Sequence, residues 1–228
     1  MTSLIVVIIA ILIVPHDGTS SNCQSLKKKD SINDCLAGLL VQTDLGWIHG
    51  HTNGAKVREW TGIPYAVPPV GLLRWTDPIS PLSDQSGGNC IYQATFNAPG
   101  CSQICTLPPG TCPVTVSEDC LYLSVWAPLN QSSFHPDGYP VIFWIHGGSF
   151  TQGLGNTPLY NGTNFAIKNV ITVVINYRLG ALGFLASKSM TGNYGIKDQR
   201  LALQWTMRNI AVFGGNPNNI TIAGQRYL

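Results

Sequence analysis

A chain of 228 residues with 44% hydrophobic residues is long enough to form one domain with a substantial core. Its charged fraction is only 11%, its net charge is +2, and its basic cluster is limited to Lys27–Lys29, so binding of nucleic acid through a charged surface is disfavoured. The seven cysteines predict disulfides if the chain is secreted.

The N-terminus carries an uncharged apolar run at residues 4–14. This run is shorter than the roughly 20 residues that a membrane-spanning helix needs, so we expect no stable membrane span. Its position predicts a signal peptide over residues 1–20, and the alternative is an uncleaved N-terminal anchor. Acceptor motifs for N-glycosylation begin at Asn130, Asn161 and Asn219. Together these signals predict a secreted, extracellular protein.

The first half of the chain consists mainly of predicted loops and short strands. Residues 21–40 are predicted to form a loose N-terminal extension, and a domain is predicted over residues 41–228. Residues 41–50 alternate around two glycines and predict a hairpin at a sheet edge. The prolines and glycines of residues 60–75 predict an extended loop, and residues 78–117 predict surface loops held by disulfides.

The second half alternates buried strands with helices. Residues 118–128 predict a strand that ends at Pro128, and residues 141–145 predict a strand buried on both faces. Residues 170–178 predict a second buried strand, and residues 219–224 a third, short one at the sheet edge. A helix is predicted over residues 198–210, with Leu201, Trp205 and Ile210 near one face. This order predicts a parallel sheet in an α/β fold.

A glycine-rich turn, His146-Gly-Gly-Ser149, follows the strand at residues 141–145. Two glycines allow backbone angles that are closed to other residues. Such a turn can point backbone N–H groups at a ligand, as in an oxyanion hole. A tight strand-to-loop turn without chemistry is the other interpretation.

Four segments together resemble the type-B carboxylesterase and cholinesterase family. They are Gly-Ile-Pro-Tyr-Ala with Pro-Pro-Val-Gly at residues 62–71, Glu-Asp-Cys-Leu-Tyr-Leu at 118–123, His-Gly-Gly-Ser-Phe at 146–150, and residues 193–224 with Phe-Gly-Gly-Asn-Pro. The resemblance covers about residues 41 to 224. It implies the N-terminal portion of an α/β-hydrolase fold, with a mostly parallel central sheet that stops before the nucleophile elbow.

The resemblance also implies a reaction. The family hydrolyses small carboxylic esters with a Ser-His-acid triad, and it needs no metal or cofactor. The backbone N–H groups of Gly148 and Ser149 would hold the oxyanion, although Ser149 replaces the commoner third glycine. Residues 102–119 contain no aromatic side chain that could bind a choline group, so a preference for choline esters is not expected.

The resemblance breaks directly after Gly224. Where the family has Gly-Glu-Ser-Ala-Gly, this chain reads Gly224-Gln-Arg-Tyr-Leu228, so Arg226 stands at the position of the nucleophile. A guanidinium stays protonated and cannot attack a carbonyl. The family's acid and base lie further along the chain, and His49, His51, His135 and His146 occupy positions that the family does not use as base. The sequence therefore predicts a truncated chain without catalytic residues or activity.

The family resemblance further implies structural pairs. Cys101 and Cys120 match a family disulfide that closes a loop of about 20 residues, worth roughly 3 kcal/mol in the loop-entropy model. Cys105–Cys112 and Cys23–Cys35 are possible further disulfides, which leave Cys90 unpaired. Two structural ion pairs are implied, Arg74 with Glu118 and Arg178 with Asp198.

Three hypotheses of function follow. In the first, the chain is a truncated, inactive carboxylesterase-like protein. In the second, it is an incomplete version of an active secreted carboxylesterase. In the third, it is a non-catalytic cholinesterase-like binding or adhesion protein, whose own partner the sequence does not indicate.

Overall fold

The computed structural model describes residues 23–25, 38–54, 57–81, 90–108, 110–129 and 137–225. The expected signal peptide, Cys35, Asn130, His135 and Arg226 lie outside these ranges. The described strands are β1 (Cys23–Ser25), β2 (Leu40–Thr43), β3 (Gly46–His49), β4 (His51–Asn53), β5 (Val57–Pro64), β6 (Cys90–Gln93), β7 (Gly100–Cys101), β8 (Val116–Ser117), β9 (Tyr122–Pro128), β10 (Tyr139–Ile145), β11 (Ile171–Ile175) and β12 (Gly215–Gly224). The described α-helices are α1 (Thr163–Ala166), α2 (Gly180–Phe184) and α3 (Tyr194–Asn209), with 3-10 turns at Gly71–Leu73, Pro158–Tyr160 and Ile210–Phe213.

Six strands form the main sheet in the order β12-β10-β11-β9-β5-β4. β10 lies parallel to both of its neighbours, β11 and β12. The other three pairings, β11 with β9, β9 with β5 and β5 with β4, are antiparallel. The sheet is therefore mixed, and the expectation of a mostly parallel sheet is wrong for the described strands, which make two parallel and three antiparallel pairings. The parallel pairings join segments that helices connect, since parallel neighbours require a crossover and antiparallel ones do not.

The two faces of this sheet are covered unequally. The larger core lies on the α3 face, where Trp205 and Phe213 belong to the same cluster as Val141 and Phe143 of β10. The opposite face packs Ala166 of the one-turn helix α1 in a smaller cluster. β11 is buried at every position, as predicted, because it is central and covered on both faces. β10 is not: Val141 and Phe143 are buried but Ile142 and Trp144 are half-buried, so the prediction of burial on both faces is wrong for β10.

β12 lies at the edge of the main sheet, as predicted, but it is longer and more exposed than predicted. It begins at Gly215 instead of Asn219, and Ile222 is 57% exposed. Within the described part of the chain β12 pairs only with β10, so its outer side has no strand against it. Its expected full burial is therefore wrong.

The segment 60–75 also differs from its prediction. Residues up to Pro64 belong to β5, where the proline ends the strand and so interrupts no ladder within it. The remainder is an extended loop with one 3-10 turn. The predicted hairpin is confirmed by the antiparallel pairing of β2 with β3. Its four-stranded sheet has the order β1-β6-β3-β2, so the segment expected to be a loose extension contributes β1 and the first residue of β2.

Helix α3 is the predicted long helix, and it begins four residues earlier than expected. It follows Asn193, whose φ of 56° is left-handed, and it ends at Asn209. The following 3-10 turn is capped by Gly214, where a φ of 93° favours glycine. Trp205 and Ile210 are fully buried, as their spacing indicates.

Disulfides and ion pairs join the loops to one another and to helix α3. Disulfides join Cys101 to Cys120 and Cys105 to Cys112. Arg74 contacts Glu118 at 2.5 Å, and Arg178 contacts Asp198 at 2.7 Å. The first ion pair is partly exposed, whereas the side chains of the second are 4% and 0% exposed.

Candidate functional site

The candidate site is built on the glycine turn, residues 146–153, which follows β10. At Gly148, φ is 111° and an added Cβ would lie 1.9 Å from the carbonyl oxygen of Gln152, so only glycine fits. Ser149 and Phe150 follow with left-handed φ values of 55° and 61°. Non-glycine residues at such angles are uncommon, and runs of them occur where the surrounding structure holds the backbone in place.

The turn is closed by its own hydrogen bonds, which do not use the backbone N–H groups of Gly148 and Ser149. The backbone N–H groups of Thr151 and Gln152 donate to the carbonyl oxygen of Gly148 at 3.0 and 3.2 Å. The backbone N–H groups of Gly148 and Ser149 have no acceptor in the part of the chain that the structure describes. Both residues line an open cleft of about 510 Å³. Two free donors at the carboxyl end of a parallel strand can hold a negatively charged oxygen.

The walls of the cleft come from neighbouring elements of the sheet. Ile222 and Gly224 belong to the end of β12, and Ile196 and Gln199 belong to α3. Gln225, the last described residue, also lines the cleft, and its backbone N–H donates to the carbonyl oxygen of Ile145 at 3.1 Å. The chain therefore reaches the edge of the glycine turn immediately before Arg226.

His146 lies in the wall of the cleft with only 2% of its surface exposed. Its Nδ1–H donates to the carbonyl oxygen of Gly147 at 2.8 Å, and its ring stacks on Tyr177 with 4.5 Å between centroids. The Tyr177 hydroxyl donates to the carbonyl oxygen of His146 at 3.0 Å. Burial lowers the pKa of His146 to about 4 and raises the pKa of Tyr177 to about 12. Both rings are therefore neutral at pH 7, and they hold the start of the turn in place.

The other described histidines lie away from the cleft. His51 is on β4, at the opposite edge of the main sheet, with Nε2 3.9 Å from Glu59. His49 is on β3 in the second sheet, with Nδ1 3.0 Å from the side-chain oxygen of Gln93. Neither is among the residues that line the cleft.

The described residues contain neither a metal centre nor a membrane-spanning helix. No group of three or more histidine, cysteine, aspartate or glutamate side chains is arranged among them to hold a metal ion. None of the helices described above is both long enough and apolar enough to cross a membrane.

The structure brings together only some of the residues singled out in the sequence. Gly148 and Ser149 lie in the cleft, whereas the residues of the two ion pairs and of the Cys101–Cys120 disulfide are not among those that line it. Asn161 is half-buried and Asn219 is exposed on β12. Sequence reasoning missed Gln103, which contacts the glycine turn across 50 residues of chain. No spacing within the sequence signals that contact.

Comparison with known proteins identifies the relatives of this architecture. The sequence model described as "Carboxylesterase family" matches residues 37–226. The "cAMP-regulated D2 protein" of Dictyostelium discoideum is 41% identical over 227 residues, which cover 99% of this chain and 40% of that protein. The "Cholinesterase" of Mus musculus is 41% identical over 201 residues, which cover 82% of this chain and 32% of that protein.

Solved structures give the same result. A "PNB esterase" structure superposes with a TM-score of 0.74 at 39% identity, covering 83% of this chain and 39% of that one. The chain thus spans about two fifths or less of the length of these relatives. The similarity confirms the predicted family and the predicted N-terminal portion of an α/β-hydrolase fold. This chain belongs to the carboxylesterase family.

Proposed function

We propose that this chain provides the oxyanion side of a carboxylesterase site for small-molecule esters. The observation that carries the proposal is the pair of free backbone N–H groups of Gly148 and Ser149 in the cleft. Two such donors can hold the carbonyl oxygen of an ester as it gains negative charge. One donor of this kind typically stabilises the transition state by about 2.7–4 kcal/mol. Membership of the carboxylesterase family supports ester hydrolysis as the reaction of the whole protein.

We further propose that residues 1–228 do not hydrolyse esters by themselves. Arg226 occupies the position where the resemblance places the serine nucleophile, and its guanidinium stays protonated. Of the histidines that the structure describes, His146 alone lines the cleft, and its hydrogen bond to Gly147 and its stacking on Tyr177 tie it to the turn. His146 is therefore not placed to activate a nucleophile, and the side chain of Arg226 cannot serve as one.

Both proposals are tested on one sample of the full chain labelled with ¹⁵N. Acetate, the carboxylate product of an acetyl ester, should shift the amide protons of Gly148 and Ser149 saturably, since its oxygens accept hydrogen bonds. The same sample should release p-nitrophenol from p-nitrophenyl acetate no faster than buffer does.

The control variant is Ser149→Ala, which removes the hydroxyl and keeps the backbone N–H, so acetate should bind to it equally well. Amide shifts no larger with acetate than with chloride would contradict the oxyanion role. Turnover that a serine-directed organophosphate abolishes would contradict the absence of activity.

We also infer that the chain follows the secretory route. The two disulfides support this, because such bonds persist in oxidising compartments, and cholinesterases are among the relatives. Expressed in a eukaryotic cell, the full chain should appear in the medium and lose mass on treatment with an N-glycosidase. Replacement of Asn161 and Asn219 by Gln should reduce that loss of mass, and an unchanged loss would argue against glycosylation at these residues.

A further inference from the structure

The disulfide-closed loop, residues 101–120, contacts the glycine turn through the amide of one side chain. Gln103 Nε2 donates to the carbonyl oxygen of Gly153 at 2.7 Å, and the backbone N–H of Gly153 donates to Gln103 Oε1 at 2.6 Å. The amide group of Gln103 thus satisfies both backbone groups of Gly153, as a neighbouring strand would. Nε2 also donates to the carbonyl oxygen of Cys101 at 2.9 Å, next to the buried disulfide.

Gly153 is itself packed against the start of the turn. An added Cβ at Gly153 would lie 2.5 Å from the carbonyl oxygen of Gly147 and 2.5 Å from Nδ1 of His146, and φ is 124°. The backbone of Gly153 is therefore held between Gln103 on one side and His146 with Gly147 on the other. A second contact joins the same two segments, since the backbone N–H of Thr106 donates to Gln152 Oε1 at 2.7 Å.

We propose that Gln103 is a positioning residue that fixes the glycine turn, and with it the backbone N–H groups of Gly148 and Ser149, to the disulfide-closed loop. The left-handed backbone at Ser149 and Phe150 is costly and persists only where its surroundings hold it. The hydrogen bonds between Gln103 and Gly153 restrain this backbone from outside the turn. The expected effect of Gln103 on anion binding rests on the proposed role of the two N–H groups. Its expected effect on the conformation of the turn does not.

The test compares Gln103→Leu with the full native chain by amide hydrogen exchange. The informative amides are those of Thr151 and Gln152, because their acceptor is Gly148 and not Gln103. Loss of the hydrogen bonds from Gln103 should make these two amides exchange about tenfold faster, which corresponds to the net free energy of one or two hydrogen bonds. The amides of β11 should be unchanged, whereas a merely structural role would accelerate exchange in β11 as well.

A matched pair of variants isolates the site. Gln103→Glu keeps the acceptor for Gly153 N–H but loses both donated bonds, so Gly153 should stay protected while Thr151 and Gln152 exchange faster. Gln42→Glu makes the same chemical change at the exposed position of the otherwise buried strand β2 and should alter none of these amides. The inference is wrong if Gln103→Leu changes the exchange of the Gly153 amide alone. If Gln103→Leu does not fold, the inference is wrong when Gln103→Glu leaves the exchange of Thr151 and Gln152 unchanged.

Acetate binding separates this inference from the proposed function. If acetate binds to the native chain, Gln103→Leu should weaken that binding, and unchanged affinity would contradict a positioning role. If acetate does not bind even to the native chain, the proposed function fails, while the exchange rates of Thr151 and Gln152 still decide whether Gln103 holds the turn.

Discussion

Replacement of Asp198 by asparagine should lower the free energy of unfolding by roughly 3–5 kcal/mol, the cost of leaving a buried charge without its partner. The Arg178 guanidinium is buried and makes two hydrogen bonds to Asp198, from Nε at 2.8 Å and from Nη2 at 2.7 Å. The backbone N–H of Arg178 adds a third at 3.0 Å. Asparagine keeps the shape but removes the charge. Urea unfolding at pH 7, followed by tryptophan fluorescence, measures the difference.

Two comparisons show whether burial is the cause. The exposed pair Lys197–Asp77 involves the same helix, and Asp77→Asn should cost less than about 1 kcal/mol because solvent screens that pair. Replacement of both buried partners, Arg178→Met with Asp198→Leu, should recover much of the stability lost in Asp198→Asn, since no unpaired charge remains. Equal losses for Asp77→Asn and Asp198→Asn would show that the buried pair contributes no more than a surface pair.

Acidification from pH 7 should destabilise the chain through His146. Burial lowers the folded-state pKa of His146 to about 4, whereas an unfolded histidine has a pKa of about 6.5. Between these values the unfolded state binds a proton that the folded state does not, so the free energy of unfolding falls as the pH falls. The full difference corresponds to about 3 kcal/mol, present above pH 6.5 and lost by pH 4.

Measurement of urea unfolding at half-unit steps from pH 7.5 to pH 4 tests this expectation, with His146→Phe as the reference. Phenylalanine keeps an aromatic ring against Tyr177 but cannot titrate, and the other titrating groups are common to both proteins. The difference between the two stability curves therefore isolates His146. A difference that stays constant with pH would show that this ring ionises as freely in the folded chain as in the unfolded one.

The expectations that depend on local pattern are largely confirmed. The uncharged β-branched run of β11 is buried throughout, the hairpin of β2 and β3 forms, and α3 covers the predicted segment. The family is recognisable from the amino-acid sequence because four separated motifs occur in one order over most of the chain. Such features can be predicted because they depend on neighbouring residues, through alternation, helical spacing and turn chemistry.

The errors lie where burial depends on distant neighbours. The sequence of β10 is as apolar as that of β11, yet Ile142 and Trp144 are half-buried because α1 is a single turn and covers little of that face. The apolar residues of β12 predict burial, but the edge position of this strand leaves Ile222 exposed. The composition of a strand indicates how much burial it tolerates. Its position in the sheet, and what packs on each face, decide how much of it is buried.

The local elements, the family and the glycine turn at Gly148 and Ser149 follow from the amino-acid sequence alone. The contacts that hold those elements together are decided by the tertiary structure. Arg58 is fully buried and donates to the carbonyl oxygens of Gly38, Pro128 and Phe213, and Gln103 braces the turn from a loop 50 residues away. The physical reason is that a buried donor must find an acceptor wherever folding places one, and the separation between the two is set by topology instead of by spacing along the chain.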